Sequence, residues 1–157
     1  MKLARHFTAT GFLVYEDQLA LHWHPKVKAW LPPGGHINPN EDPIQAVRRE
    51  IEEESGVMAE VVPTSKILDL EYPEILVPPF TIMIEDIEDP VDGHHQHIDL
   101  IYFCKPIGKP ALLKNGWYWI DRTTLKKESP IDRATGLSIP PPEDVLILAE
   151  HAFAMVP

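Results

Sequence analysis

The chain has 157 residues, 44% of them hydrophobic and 24% charged, with 14 Lys and Arg against 24 Asp and Glu and a formal charge of −10. These proportions fit one globular domain spanning 1–157 with a buried core, and the acidic balance argues against general nucleic-acid binding, which needs a basic footprint. No apolar run approaches the ~20 residues of a membrane span, and Met1 to His6 lacks the apolar core of a signal peptide, so a cytoplasmic chain with no membrane partner is expected.

In chain order, Phe7 to Val14 and Leu19 to His24 read as two strands joined by the polar turn Tyr15-Glu16-Asp17-Gln18. Trp30-Leu31-Pro32-Pro33-Gly34-Gly35 enters a sharp, glycine-rich bend. A helix follows with well-marked limits. Asp42 suits the N-cap, Pro43 the first helical position, Gln45 completes a capping box, and Gly56 supplies the stop. Val57 to Val62, Lys66 to Leu70, Phe80 to Ile84, Ile98 to Cys104 and Gly116 to Ile120 read as further strands. Cys104, the single cysteine, ends an apolar run and reads as a small buried hydrophobe. A last helix is predicted after Pro140-Pro141-Pro142, with Val145, Leu148, Ala149 and Ala152 on one face. The predicted class is α/β, a mixed sheet covered by helices.

The first helix carries the chemistry. At about 100° per residue, Ile44, Val47 and Ile51 form an apolar stripe, and Glu50, Glu53 and Glu54 share an adjacent one at i, i+3 and i+4. Three carboxylates so placed repel each other unless a counter-ion joins them, and oxygen ligands suit a hard cation such as Mg²⁺. The competing reading is a solvated acidic face with Arg48–Glu52 and Arg49–Glu53 ion pairs. Gly34-Gly35 weighs against it, because a bend without side chains brings backbone groups close to an ion or phosphate.

Gly35, Glu41, Arg49, Glu50, Ile51, Glu53, Glu54, Gly56 and Val57 together resemble the Nudix family box, G-x5-E-x7-R-E-U-x-E-E-x-G-U with U a bulky apolar residue, and satisfy every position. The fixed identities alone have a chance probability on the order of 10⁻⁹ per start point. The resemblance implies an α/β/α sandwich and a Mg²⁺- or Mn²⁺-dependent hydrolase, in which water attacks phosphorus in a nucleoside diphosphate linked to another group. It implies Gly35, Glu50, Glu53 and Glu54 as metal ligands and Arg49 as the residue orienting a carboxylate. Glu41 would brace the loop or hold metal through water. Glu53 is the leading general base, and Glu85, Asp99, Asp132 and Glu143 are candidates outside the box. A non-catalytic nucleotide-sensing module is the alternative, and the complete box disfavours it.

His94-His95-Gln96-His97-Ile98-Asp99 is the second polar cluster. On a strand His95, His97 and Asp99 share a face, as metal ligands or a phosphate-binding edge; the plainer alternative is a polar loop entering a strand. With Arg5, His95 and His97 are the candidate substrate-binding residues.

Overall fold

The structure, a computed structural model, describes residues 3–110, 112–128, 131 and 139–157. Eleven elements follow in order: β1 (Arg5–Tyr15), β2 (Gln18–His24), β3 (Ala29–Leu31), β4 (Gly34–His36), α1 (Pro43–Ser55), β5 (Ala59–Val61), β6 (Thr81–Asp89), β7 (Gly93–Pro106), β8 (Trp117–Asp121), α2 (Arg122–Lys126) and α3 (Glu143–Met155). Among the described residues no helix is long and apolar enough to cross a membrane.

β1 is the hub. It runs parallel to β7 from Arg5↔Gln96 to Leu13↔Cys104, and antiparallel to β4 at Thr8↔His36, Ala9↔Gly35 and Thr10↔Gly34. Its far end turns into β2 through Glu16 and Asp17, both at positive φ, which suits a two-residue hairpin. β6 pairs with the first part of β7 and β5 with its last residues, while β2 also carries β3 and β8.

Alternation along β1 and β7 splits the interior into two layers. Ala9, Leu13, Tyr102 and Cys104 face α1, where Ala46, Val47 and Ile51 are fully buried. Phe12, Leu19, Leu21 and Phe103 face the other way, against Val145, Leu148 and Ala149 of α3. The sheet is therefore sandwiched between helices. Burying side chains of this size contributes about 1.5–3 kcal/mol each, so the apolar stripe of α1 fixes which of its faces turns away from the core. Gly11 is required by this packing, since a Cβ there would meet Ile51 Cδ1 at 2.6 Å.

Lys66–Leu70 is not a strand. Residues 62–80 lie outside regular structure, and Leu68 and Leu70 are exposed. The edge of β7 is taken by β5 up to Val61 and by β6 from Thr81, so this apolar run has no place on β7 itself. β6 and β7 are also longer than the sequence predicts. Their polar ends, Glu85 to Asp89 and His94 to His97, pair with each other across a hairpin.

Candidate active site

The predicted capping box of α1 is present: Asp42 Oδ1 accepts from Gln45 N at 2.8 Å, and Gln45 Oε1 accepts from Asp42 N at 2.9 Å. Gly56 closes the helix at φ 80, its N–H donating to Glu52 O. Lys114 Nζ donates to Glu53 O at 2.6 Å, placing a cation at the negative end of the helix dipole.

These fixed ends aim the carboxylates at β4. A Cβ on Gly35 would stand 2.6 Å from both Cδ and Oε1 of Glu50, so the carboxylate rests directly on bare backbone. Gly34 N donates to Glu54 Oε1 at 3.1 Å. Gly34 is itself pressed against β1, where a Cβ would meet Thr10 Oγ1 at 2.5 Å. Close approach, not positive φ, is what these two glycines supply.

Arg49 organises the charge. It donates to Glu41 Oε1 at 2.7 Å and Oε2 at 3.0 Å, to Glu50 Oε1 at 2.6 Å, to Glu53 Oε2 at 3.2 Å and to His36 O at 3.0 Å. The Glu41 hydrogen bond leads the effects that hold its guanidinium protonated, and that bond in turn lowers the Glu41 carboxyl. Glu41 also accepts from Asn38 N at 2.9 Å, so it ties the loop to the helix. Arg48 does not take the predicted pairing with Glu52; its Nε donates to the Ala59 carbonyl at 3.1 Å, because its side chain runs to β5.

Glu54 lines a cleft of about 1140 Å³ together with Gly34 and Gly35. Burial pushes its carboxyl up to about 7, with Glu50 and Glu53 adding to the rise and the Gly34 N–H opposing it. Burial likewise pushes Glu85 up to about 7, reinforced by Asp99 and Asp144. Asp99, 4% exposed, accepts from Thr8 Oγ1 at 2.9 Å and Thr10 Oγ1 at 2.7 Å. Its carboxyl is raised by burial despite these bonds. A wall of oxygen donors that repel each other, beside open backbone, is suited to a hard divalent cation.

The structure brings Gly35, Glu50 and Glu54 together, with Glu53 joined through Arg49 and its side chain 60% exposed. Glu85, Asp99 and His97 line the cleft; Glu143 is exposed at the start of α3 and Asp132 lies outside the described residues. His95 is buried, and Arg5 Nε donates to Gln96 Oε1 at 2.9 Å. Sequence reasoning missed Asp144, Thr8, Thr10, His6 and His36. Asp144 precedes Leu148 by one helical turn and shares its cleft face, a signal that the predicted stripe already contained. Polar His6, Thr8 and Thr10 alternate on β1 ahead of buried Phe12, which marks a polar extension of a core face.

Residues 5–135 match the family model of the NUDIX domain. A curated relative described as a probable DHNTP pyrophosphohydrolase from Lactococcus lactis subsp. cremoris is 33% identical over 98 residues, covering 62% of this chain and 52% of that protein. This chain thus spans about half the length of that relative. The crystal structure of a NUDIX-family hydrolase from Clostridium perfringens superposes with a TM-score of 0.74 at 26% identity, over 99% of this chain and 100% of that one. The MutT protein of Bacillus halodurans shares the fold alone, with a TM-score of 0.56 at 17% identity over 93% and 80% of the two chains. The carboxylate-lined helix, its glycine-rich approach and these matches agree: the chain belongs to the Nudix hydrolase family.

Proposed function

We propose that this chain, working as one catalytic unit over residues 1–157, hydrolyses a phosphoric anhydride bond in a nucleoside diphosphate linked to another group. The observation that carries this reading is the packing of Glu50 and Glu54 against the bare backbone of Gly35 and Gly34, with Glu54 and both glycines lining the cleft. Glu50, Glu53, Glu54 and the Gly35 carbonyl would hold Mg²⁺ or Mn²⁺, which when bound neutralises phosphate charge and acidifies water. The remaining work belongs to the chain. Arg49 fixes Glu50 and Glu53 relative to the loop. Glu53 accepts a proton as water attacks phosphorus; the new P–O bond forms while the bond to the bridging oxygen breaks, and the second phosphorylated half departs.

A second reading takes Glu85 as the base. It lines the cleft, and its carboxyl at about 7 matches a base working near neutral pH. With Glu85 as base, kcat/KM rises with pH through about 7, and Glu85→Gln removes that limb. With Glu53 as base, Glu85→Gln leaves the pH profile as it is in the wild type.

The function is tested by incubating nucleoside di- and triphosphates, DHNTP, ADP-ribose, dinucleoside polyphosphates and nucleotide sugars with Mg²⁺ or Mn²⁺, each against a chelator control. At least one linked nucleoside diphosphate is turned over, and chelation abolishes turnover without changing the circular dichroism spectrum. Full turnover in chelator overturns the proposal.

A further inference from the structure

β1, β4 and β7 bring four imidazoles to one end of the sheet. Register sets His6 opposite His97, while His95 precedes His97 on the same face of β7 and His36 closes β4 beside Thr8. Ring centroids lie 4.9 Å apart for His6 and His95, 5.1 Å for His95 and His97, 5.0 Å for His36 and His97, and 5.3 Å for His6 and His36. We propose that His6, His95 and His97 form a nitrogen-donor site for a divalent transition metal of the zinc class, with His36 packed beside His6 and no ligand shared with the α1 carboxylates.

Donor geometry carries the assignment. The ligand nitrogens of His6, His95 and His97 all lie within 4.8 Å of one another. Nitrogens bound at 2.0–2.1 Å around a tetrahedral ion stand about 3.3 Å apart. His95 Nε2 lies 3.3 Å from His97 Nε2, and His36 Nε2 lies 3.3 Å from His6 Nδ1. His95 is also prepared electronically. Its Nδ1 is 2.9 Å from the Gly93 carbonyl, which can only accept, so Nδ1 carries the proton and Nε2 presents its lone pair to the cluster. His95 is 4% exposed, which holds its ring in place. Without a metal, an Nε2–H of His97 can bridge to His95 Nε2; an ion takes the place of that proton and engages both nitrogens. Imidazole nitrogen donors favour such an ion over Mg²⁺, which prefers oxygen.

The site would act as a clamp. Its donors come from β1 and β7, and His36, whose Nε2 lies 3.3 Å from His6 Nδ1, follows Gly35, the residue on which Glu50 rests. Metal at the histidines therefore fixes the backbone that receives the carboxylates, without entering the hydrolytic chemistry.

The probe is Co²⁺ added to metal-free full-length protein, followed by displacement with Zn²⁺. Wild type and Glu54→Gln both develop the visible absorption of four-coordinate Co²⁺, and Zn²⁺ raises the melting temperature of both. His95→Ala/His97→Ala loses the absorption and the thermal shift. Long-range ¹H–¹⁵N NMR of unmutated protein supplies a readout that no variant has to fold for: one equivalent of Zn²⁺ shifts His95 Nε2 and His97 Nε2 together. Absence of four-coordinate Co²⁺ in wild type, imidazole nitrogens unmoved by Zn²⁺, or loss of the signal in Glu54→Gln overturns the proposal.

Discussion

Glu54→Gln should stabilise the metal-free protein, and only on the alkaline side. The Glu54 carboxyl is pushed from 4.5 to about 7 in the folded state, first by burial and then by Glu50 and Glu53. Because the folded pKa lies above the unfolded one, the folded state binds the proton more tightly between these values. The stability this confers is fully present below about pH 4.5 and is lost as pH rises through about 7. A rise of this size corresponds to a few kcal/mol at most. Partial solvent access screens the carboxylate, which brings the expected effect to about 1–2 kcal/mol. The glutamine amide would keep an oxygen for the Gly34 N–H and carry no charge. Urea unfolding in chelator should therefore give near-equal stabilities at about pH 4 and a variant more stable by about 1–2 kcal/mol at about pH 8. Saturating Mg²⁺ should narrow the difference at about pH 8, because a ligand that binds only the folded wild type stabilises it. A wild type at least as stable as Glu54→Gln at about pH 8 in chelator would refute the reasoning and return this face of α1 to ordinary solvated charge.

Two glycines give contrasting expectations. Gly35→Ala places a Cβ 2.6 Å from the end of Glu50, a flexible group that can swing away, so the fold should survive while kcat falls about 10²-fold. Gly11→Ala meets Ile51 Cδ1 at 2.6 Å and should cost about 1–3 kcal/mol in chemical denaturation while largely sparing turnover. The bond broken is tested in ¹⁸O-labelled water under single turnover. Label should enter a product phosphate with no enzyme-bound intermediate; label in a sugar hydroxyl would mean C–O cleavage and a different mechanism.

What the sequence disclosed followed local rules. The limits of α1 were legible because Asp42, Pro43, Gln45 and Gly56 each satisfy a terminal backbone requirement within a few residues. Its apolar stripe was equally legible, since Val47 and Ile51 need only helical periodicity to face the sheet. Non-local pairing was not. Nothing in the spacing of β1 and β7 announces that they run parallel with Thr8 opposite Asp99, so the Asp99 hydroxyl cradle emerged only from register. The same register assembles His6 with His95 and His97, residues about ninety positions apart. Lys66–Leu70 shows the opposite limit. Its composition suits a strand, but β5 and β6 already take the β7 edge, and residues 62–80 stay outside regular structure. Arg48 shows it again: an i, i+4 glutamate was available, and a carbonyl of β5 captured the guanidinium.

On the proposed function, the α1 carboxylates form the catalytic metal site. The most direct test is the metal-dependent turnover of Glu53→Gln and Glu54→Gln beside wild type, on whichever substrate the screen identifies. Each variant should lose at least about 10²-fold in kcat/KM, the loss expected for a positioned proton acceptor or charge-stabilising group. Glu54→Gln should also need more Mg²⁺ to reach half its maximal rate, with circular dichroism unchanged in both variants. Near-wild-type rates and an unshifted Mg²⁺ dependence in both would mean that the α1 carboxylates are not the catalytic metal site.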